Sequence, residues 1–289
     1  MKLDFSAISL DRQAEYRALL AKTPEVSSDY SFVNLWAWGE AHALSWAWAD
    51  GLVWLRQGQP RPALWAPVGP WEQVDWPRLR PRLYGEEFTR LPESLAVRMA
   101  RALPGTRIKT ERHNWDYLYR ASELAELPGN RFHAKRNLLR QFQKHHDWRY
   151  EPLDDQNVEK VLAVQGQWCQ WHNCEFSPSL AAEDRAIAKV MRHFADLRPL
   201  LGGMILVDGQ AAAFTVGEPL PPDTLLIHFE KGLASYKGIY QAINREFVAR
   251  QPGFAQVNRE QDVGDLGLRQ AKLSYQPLAF IRKYSLTWC

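Results

Sequence analysis

The sequence is poor in cysteine: Cys169, Cys174 and Cys289 are its only three in 289 residues. This odd, low count does not suggest the disulfide framework of a small secreted domain. The N-terminus lacks the basic-then-apolar layout of a secretory signal, and no run reaches the ~18–20 apolar residues of a membrane span. We therefore expect a soluble, cytoplasmic protein with no transmembrane segment and, at most, peripheral membrane contact.

Several motifs that identify a reaction are absent as well. The sequence has no G-x-G-x-x-G, no P-loop and no G-x-S-x-G, which argues against dinucleotide binding, P-loop nucleotide hydrolysis and serine-hydrolase chemistry. Cys169, His172 and Cys174 are metal-type residues at close spacing, but the segment offers no fourth ligand, so we expect no zinc site. Neither cysteine has an organised partner that would make it a nucleophile.

The remaining composition is that of a globular protein, with 46% hydrophobic and 24% charged residues and a net charge of +3. We interpret most of the 13 Trp as packing residues. The length suggests about two domains, and we predict them at residues 1–125 and 126–289. Each half has an Asp-Gly pair between strand-like runs, Asp50-Gly51 and Asp208-Gly209, which predicts one β-hairpin per half. The similar order of elements in the halves favours duplication.

Residues 107–111 and 116–120 are predicted to be strands joined by a turn at His113-Asn114, and residues 124–130 to be a linker. In the second half, an apolar run of strand length ends in Glu230, and the apolar spacing of the following segment predicts a helix to about residue 250. A second strand leads into the polar segment 258–262. Because ligands of open α/β sheets lie beyond the carboxyl ends of strands, we place the working site here.

Three segments carry a family resemblance: 235–244 (SYKGIYQAIN), 257–262 (VNREQD) and 267–277 (GLRQAKLSYQP). The segments 28–35 (SDYSFVNL) and 135–137 (KRN) agree with it. Through them the chain resembles the soluble relatives of the C-terminal domain of bacterial phosphatidylglycerol lysyltransferases. The resemblance covers nearly the whole chain, and its C-terminal motifs are the more specific ones.

The resemblance implies a tandem GNAT-like acyltransferase fold of the α+β or α/β class, with two mixed central sheets flanked by helices, as in the Fem peptidyltransferases. It also implies transfer of an aminoacyl group from aminoacyl-tRNA, which family members carry to a lipid headgroup. The transmembrane flippase portion of those members has no counterpart in this chain, so the acceptor, an amine or a hydroxyl, stays open. We expect no tightly bound cofactor, and either aminoacyl-tRNA or acyl-CoA as the co-substrate.

Acyl transfer needs a proton acceptor, a polarised carbonyl and a cradle for an anionic donor. Glu230 is a candidate general base or ligand for a donor α-amino group; alternatively it is a charge at the strand end that lies in solvent or pairs with Lys231. His228 alternates with it along the strand. Lys272, which matches a lysine of the lysyltransferases, is a candidate for neutralising the donor 3′-end or an oxyanion. The predicted catalytic residues are Glu230, Glu260, Lys272 and Tyr275.

The turn before the predicted helix is a candidate anion cradle, because helix N-termini offer free N–H groups; alternatively, Gly238 only lets the turn close. Arg259 is suited to holding a phosphate or carboxylate, and Glu260 and Asp262 to holding an ammonium; alternatively, this segment is a salt-bridged loop. Tyr240 and Tyr275 could protonate a leaving group or only pack. The predicted donor-binding residues are Tyr236, Lys237, Gly238, Tyr240, Asn244, Asn258, Arg259 and Asp262.

A basic segment at 131–149 predicts either a tRNA-binding helix or a solvated helix face. Its candidate nucleic-acid contacts are Lys135, Arg136, Arg140 and Lys144. The sequence thus favours an aminoacyltransferase that uses tRNA. Two alternatives stay open: an acyl-CoA-dependent N-acetyltransferase, and a non-catalytic module that binds RNA or an anionic metabolite.

Overall fold

The structure is a computed structural model that describes residues 3–289. Its strands are β1 Ser6–Ala7, β2 Ser45–Ala49, β3 Leu52–Gln57, β4 Ala63–Leu64, β5 Phe88–Pro92, β6 Thr106–Thr110, β7 Asp116–Arg120, β8 Trp148–Pro152, β9 Leu201–Val207, β10 Gln210–Leu220, β11 Thr224–Gly232, β12 Gln256–Asn258, β13 Ala279–Ile281 and β14 Lys283–Trp288. Its α-helices are α1 Gln13–Leu20, α2 Phe32–Ala37, α3 Trp76–Leu83, α4 Glu93–Ala102, α5 Ala121–Glu126, α6 His133–His145, α7 Val158–His172, α8 Pro178–Arg192, α9 Ile239–Ala249 and α10 Leu266–Leu273.

The strands form two seven-stranded sheets, and the chain divides into two compact units. The first unit contains the described residues up to Tyr117 together with Gln261–Gln270 and Phe280–Cys289. Its sheet has the order β1-β2-β3-β4-β5-β14-β6. The last strand of the chain, β14, therefore lies between β5 and β6 and is antiparallel to both. Buried tryptophans such as Trp46, Trp54 and Trp71 fill the core of this unit, which agrees with their interpretation as packing residues.

The second unit contains Leu118–Glu260 and Ala271–Ala279. The second sheet has the order β13-β7-β12-β11-β10-β9-β8. Strand β11 is antiparallel to β10 but parallel to β12. The parallel pairing ends at Leu226 and Asn258, whereas β11 continues to Gly232. The last residues of β11 thus extend beyond β12. The domain limits 1–125 and 126–289 stay a prediction.

Both Asp-Gly hairpins are confirmed: β2 and β3 flank Asp50-Gly51, and β9 and β10 flank Asp208-Gly209. The predicted helix after Glu230 is also confirmed, as α9.

The strands predicted at 107–111 and 116–120 and the turn between them are confirmed as β6, β7 and a 3-10 turn at Arg112–Asn114. The two strands do not pair with each other, because β6 pairs with β14 in the first sheet and β7 pairs with β12 in the second. One local prediction is wrong. Residues 124–130 are not simply a linker, because α5 extends to Glu126 and buries Leu124 and Leu127. Packing of α5 against α9 overrides the local pattern there.

The cysteine count gave no indication of one covalent link. Cys169, in the last turn of α7, is bonded to Cys174, and Cys289 is free and exposed. Within residues 3–289, no helix is long and apolar enough to cross a membrane. The same range holds no group of three or more His, Cys, Asp or Glu side chains arranged to hold a metal ion.

Candidate active site

Glu230 is the centre of a buried polar cluster in the second unit. It lies on β11 beyond the last residue paired with β12. Its Oε1 accepts a hydrogen bond from Arg259 Nη2 at 2.7 Å, and its Oε2 accepts one from Asn244 Nδ2 at 2.9 Å. The Glu230 side chain is 9% exposed. The carboxylate is therefore held between a residue that follows β12 and a residue of α9.

A tight turn after β12 positions Arg259. Asn258 is fully buried, and its Oδ1 accepts a hydrogen bond from the Glu260 backbone N–H at 2.8 Å. Glu260 has a φ of +56°, in the left-handed region that side chains other than Asn and Asp rarely adopt. Lys272 Nζ donates to the carbonyl oxygen of Arg259. These bonds fix the backbone on both sides of the guanidinium.

Two tyrosine rings cover the Arg259 guanidinium, with its Cζ 4.9 Å from the Tyr275 ring centroid and 5.8 Å from that of Tyr119. Burial lowers the pKa of Arg259, but the charge of Glu230, the Tyr119 and Tyr275 phenols and the hydrogen bond to Glu230 together raise it above its ordinary value. Arg259 and Glu230 are therefore a charged pair. A buried pair needs well-formed hydrogen bonds and close packing to offset the free-energy cost of removing its charges from water.

Around Glu230, three buried polar atoms have no hydrogen-bond partner among residues 3–289: Arg259 Nη1, Asn244 Oδ1 and Thr215 Oγ1. Thr215 lies on β10 directly opposite Glu230 in the β10–β11 register, and Thr215 and Asn244 are fully buried. Buried polar groups in native proteins are nearly always hydrogen-bonded, because an unmade bond costs about 1–3 kcal/mol. The cluster can therefore donate a further hydrogen bond from Arg259 and accept one at Asn244, and the Thr215 hydroxyl lies beside them.

A second polar group lies next to this cluster. His228 Nε2 donates to Glu218 Oε1 and His228 Nδ1 donates to Glu260 Oε1, both at 3.1 Å. The side chains of His228 and Glu218 are 0% exposed. Burial lowers the pKa of His228, but bonds to two carboxylates outweigh it and raise the pKa to about 9. His228 is therefore an imidazolium at neutral pH, and it ties β11 to the turn that carries Arg259.

This arrangement predicts a loss of stability at alkaline pH. Because the folded-state pKa of His228 is above the ordinary 6.5, its contribution is complete below pH 6.5 and disappears as the pH rises through about 9. We expect the free energy of unfolding to fall by about 2–3 kcal/mol over this window. His228→Asn should remove that part of the slope in urea denaturation between pH 6 and 9.5. Equal slopes for the two proteins would contradict the assignment.

Three cations meet around the Tyr275 ring and the Arg259 turn. Lys135 Nζ lies 4.2 Å from the Tyr275 ring centroid and donates to Ser274 Oγ at 2.6 Å. Burial, with a further contribution from the charge of Arg259, lowers the pKa of Lys135. Burial also raises the pKa of Tyr275 to about 12, so this phenol is neutral at physiological pH. Lys272 is the third cation, and its backbone carbonyl accepts from Tyr119 Oη at 2.9 Å.

The turn before α9 approaches another helix. Gly238 has a φ of +92°, and a Cβ added to it would lie 2.2 Å from the backbone oxygen of Leu138 in α6. The Tyr236 ring packs edge-on against His146 at 5.2 Å. Tyr240 Oη accepts from Trp168 Nε1 at 3.0 Å, and Lys237 is exposed. The close approach that Gly238 permits is therefore to protein backbone, as expected of a glycine that lets the turn close.

The predicted residues are not all brought together. Glu230, Asn244, Arg259, Lys272 and Tyr275 form one cluster, with Asn258 and Glu260 in its supporting turn. Asp262 belongs to the first unit, where it is buried and accepts hydrogen bonds from Tyr117 Oη at 2.7 Å and Arg269 Nε at 2.8 Å. Its carboxylate is thus already engaged within that unit.

The cations of the basic helix α6 differ in their contacts. Lys135 contacts Tyr275, and the Arg136 guanidinium donates to the backbone oxygens of Leu127 and Gly129. Arg140 and Lys144 are exposed four residues apart, so they lie on one face of the helix. These two are the cations that remain available to a polyanion.

Sequence reasoning missed three residues of this site: Thr215, Glu218 and Tyr119. Each is brought to Glu230, His228 or Arg259 by strand register or by a distant strand. The sequence contains one usable signal for this part of the site. His228 alternates with Glu230 along the same predicted strand.

Solved structures establish the fold class. A conserved protein of unknown function from Bacteroides thetaiotaomicron is 29% identical, with a TM-score of 0.90 over 99% of this chain and 100% of that one. L-PGS from Bacillus licheniformis is 12% identical, with a TM-score of 0.64 over 95% and 91% of the two chains. FemX is 11% identical, with a TM-score of 0.50 over 98% and 97%. The protein has a tandem GNAT-like fold with two mixed seven-stranded sheets flanked by helices.

The family follows from the sequence itself. The profile of the family described as "Phosphatidylglycerol lysyltransferase, C-terminal" matches residues 20–287. A comparison with curated proteins finds no significant match. The chain belongs to the phosphatidylglycerol lysyltransferase C-terminal family, a family of acyl- or aminoacyltransferases.

Proposed function

We propose that this protein transfers an aminoacyl group from aminoacyl-tRNA to an amine or hydroxyl acceptor, with the Glu230 cluster as the donor site. The observation that carries the proposal is the set of unpartnered buried atoms around Glu230. Arg259 Nη1 requires a hydrogen-bond acceptor, and Asn244 Oδ1 requires a donor. An aminoacyl group supplies both, through its carbonyl oxygen and its α-amino group. An acetyl group supplies only the carbonyl oxygen.

In this proposal Glu230 and Asn244 bind the α-ammonium group, with Thr215 beside them, and Arg259 Nη1 binds the ester carbonyl. We favour binding over proton abstraction for Glu230, because both of its oxygens already accept hydrogen bonds. Arg259 is then placed to stabilise the negative charge that develops on the carbonyl oxygen. Tyr275, whose pKa is raised to about 12 by burial, keeps its proton.

The chemical step conserves atoms and charge. The acceptor nitrogen or oxygen attacks the ester carbonyl carbon, forming an amide or a new ester. The bond from that carbon to the ribose oxygen of the tRNA 3′-end breaks. The proton lost by the acceptor passes to the departing ribose oxygen, which leaves as a hydroxyl.

A titration with three ligands tests the donor. Binding of acetyl-CoA, uncharged tRNA and aminoacyl-tRNA would be followed by Trp fluorescence at two salt concentrations. We expect charged tRNA to bind more tightly than uncharged tRNA. Saturable acetyl-CoA binding with little response to tRNA would favour the acyl-CoA-dependent alternative, and no response to any of the three would favour a binding module of another kind.

Thr215→Val separates a binding role from a structural one. The substitution keeps the shape and removes a buried hydroxyl that has no partner, so the free energy of unfolding should stay the same or rise by up to about 1 kcal/mol. Affinity for aminoacyl-tRNA should fall about tenfold, whereas affinity for uncharged tRNA should not change. A destabilised protein with unchanged donor affinity would show that Thr215 is only structural.

The exposed face of α6 provides a separate test of tRNA binding. Arg140→Glu combined with Lys144→Glu should weaken binding of charged and uncharged tRNA equally, by at least about tenfold at low salt. The slope of log K against log salt should also become less steep, because fewer counterions are released. The matched control is Arg101→Glu with Lys109→Glu, two exposed cations of the first unit. Equal effects of the two double variants would show that α6 is a solvated face.

A further inference from the structure

The Cys169–Cys174 disulfide lies in the second unit, at the corner where the chain passes from α7 to α8. Cys169 is in the last turn of α7, and Cys174 begins a short 3-10 helix that ends just before α8. The sequence separation of the two cysteines is only 5. A cross-link that closes so short a loop removes little conformational entropy from the unfolded chain. The bond is therefore suited to fixing this corner rather than to supporting the whole fold.

Trp168, the residue before Cys169, connects this corner to the candidate donor site. Its Nε1 donates a hydrogen bond to Tyr240 Oη at 3.0 Å. Tyr240 precedes Asn244 by one helical turn, so the two side chains lie on one face of α9. Asn244 Nδ2 in turn donates to Glu230 Oε2 at 2.9 Å. The end of α7 thus contacts the same helix face that holds the Glu230 carboxylate.

Helix α8 contacts the end of β11 from the other side of the corner. Lys231, which directly follows Glu230 in β11, pairs through its Nζ with Glu183 Oε2 of α8 at 2.7 Å. The same Nζ lies 3.9 Å from the ring centroid of Trp168. Both helices that the corner joins therefore meet at Lys231, one residue from the centre of the candidate site.

The surroundings of Cys169 suit a thiol as well as a disulfide. Its Sγ lies 3.6 Å from Asp184 Oδ1 of α8 and 3.3 Å from Gln165 Nε2. A disulfide sulfur carries no proton, so the contact with Asp184 is not a hydrogen bond in the oxidised state. A thiol would donate to that carboxylate, since an S–H group is a weak donor. Cys169 therefore has two alternative partners, Cys174 through a covalent bond and Asp184 through a hydrogen bond.

We propose that the Cys169–Cys174 pair is a redox switch that controls donor binding at the Glu230 cluster. The proposal rests on the proposed function, which supplies the ligand whose affinity changes. In the oxidised state the disulfide fixes the last turn of α7 and keeps Trp168 against Tyr240. Reduction releases this turn, which then frays as unrestrained helix ends do, and Trp168 loses its fixed position. The oxidised protein is therefore the form that binds the donor tightly.

The redox step takes its electrons from an external dithiol, either a small molecule or a dithiol protein. One thiolate of the dithiol attacks a sulfur of the disulfide, which forms a mixed disulfide and releases the other cysteine. The second thiol of the dithiol then attacks the mixed disulfide. The dithiol loses two electrons and two protons and becomes a disulfide, while Cys169 and Cys174 become thiols. Residues 170–173 are exposed, so the reductant can approach the bond from that side.

The experiment compares the donor affinity of the full chain in its two redox states. The probes are 3′-lysylamino- and 3′-alanylamino-3′-deoxyadenosine, stable mimics of an aminoacylated tRNA 3′-end, and unacylated 3′-amino-3′-deoxyadenosine is the reference. The protein is oxidised with glutathione disulfide or reduced with dithiothreitol, and its thiols are counted by alkylation and mass spectrometry. Isothermal titration calorimetry then measures the affinities. We expect both acylated probes to bind the oxidised protein about tenfold more tightly, a usual size for coupling between two sites, and the reference to bind both forms equally.

Three variants separate the bond from other effects of the reductant. Cys174→Ser should bind the acylated probes as weakly as the reduced wild-type protein does, with no further response to dithiothreitol. Cys289→Ser is the matched control, because Cys289 is free and exposed in the first unit, and it should keep the full redox response. Trp168→Phe keeps an aromatic ring beside Lys231 but removes the N–H that Tyr240 accepts, so it should weaken binding of the acylated probes and reduce the redox difference.

Three results would overturn the inference, and they are distinguishable. If the acylated probes bind more tightly than the reference but equally in both redox states, the switch is wrong while the proposed function stands. A disulfide that dithiothreitol does not reduce in the folded protein would be a structural bond and not a switch. If no acylated probe binds more tightly than the reference in either state, the proposed function fails and the inference fails with it.

Discussion

Replacing Lys283 by Met should lower the free energy of unfolding by about 3–5 kcal/mol, the cost of removing one partner from a buried ion pair. Lys283 is 0% exposed, and its Nζ donates to Asp29 and, at 2.6 Å, to Asp116 Oδ1. Asp116 is also fully buried. The methionine would fit the space, but it would leave buried carboxylates without their common cation. Urea denaturation at pH 7 measures the loss.

The control is Lys109→Met, an exposed lysine of β6 in the same sheet, which should change stability by less than about 0.5 kcal/mol. The pH dependence identifies the cause. Burial raises the pKa of Asp29, but Lys283 and Arg90 outweigh burial and lower it to about 2. The wild-type protein therefore keeps this stabilisation above pH 4 and loses it as the pH falls through about 2.

In the Lys283→Met variant the two carboxylates lose their common cation, although Asp29 keeps Arg90, so they should bind protons more readily in the folded state than they do in the wild-type protein. The stability deficit relative to wild type should therefore shrink as the pH falls from 7 to 4. A deficit that does not depend on pH would show that the loss comes from packing rather than from unpaired charge.

The second large effect is expected at Gly238. Alanine there would place its Cβ 2.2 Å from Leu138 O, 2.9 Å from Leu138 C and 3.1 Å from Phe142 Cβ, at a φ of +92°. Two of these neighbours are backbone atoms of α6, which cannot rotate away. Strain of the left-handed backbone and the displacement of α6 together should cost about 3–5 kcal/mol in the free energy of unfolding.

Gly253→Ala is the matched control, because Gly253 has a similar φ of +100° and no atom within 4 Å of the added Cβ. It should show the backbone strain alone, about 1–2 kcal/mol. Denaturation curves of the two variants therefore separate strain from steric contact. Equal losses would mean that the packing of α6 against Gly238 contributes nothing.

Local chemistry explains which parts of the fold could be predicted. The Asp-Gly pairs specify their own two-residue turns, and Ile239, Ile243 and Phe247 give α9 an apolar face that is visible in the sequence. The segment 107–120 shows the limit. Its two strands are adjacent in the chain, yet they pair with partners more than a hundred residues away, and local pattern carries no information about that choice.

The candidate site divides in the same way. Arg259 and Glu230 could be identified from the sequence, because a charged residue at the end of an apolar, strand-like run is unusual. Thr215 could not, since it sits within the apolar run of β10 and acquires its place only from the register that sets it opposite Glu230. Proximity in sequence groups Asp262 with Arg259, but the chain passes into the first unit at Gln261.

The position of β14 has a consequence for how the protein is made. Strands β5 and β6 are each paired to β14, which is synthesised after every strand of the second sheet. The first sheet therefore cannot close before Lys283–Trp288 have been synthesised. A fragment ending near residue 125 would leave the β14-facing edges of β5 and β6 unpaired, and we expect it to aggregate rather than fold.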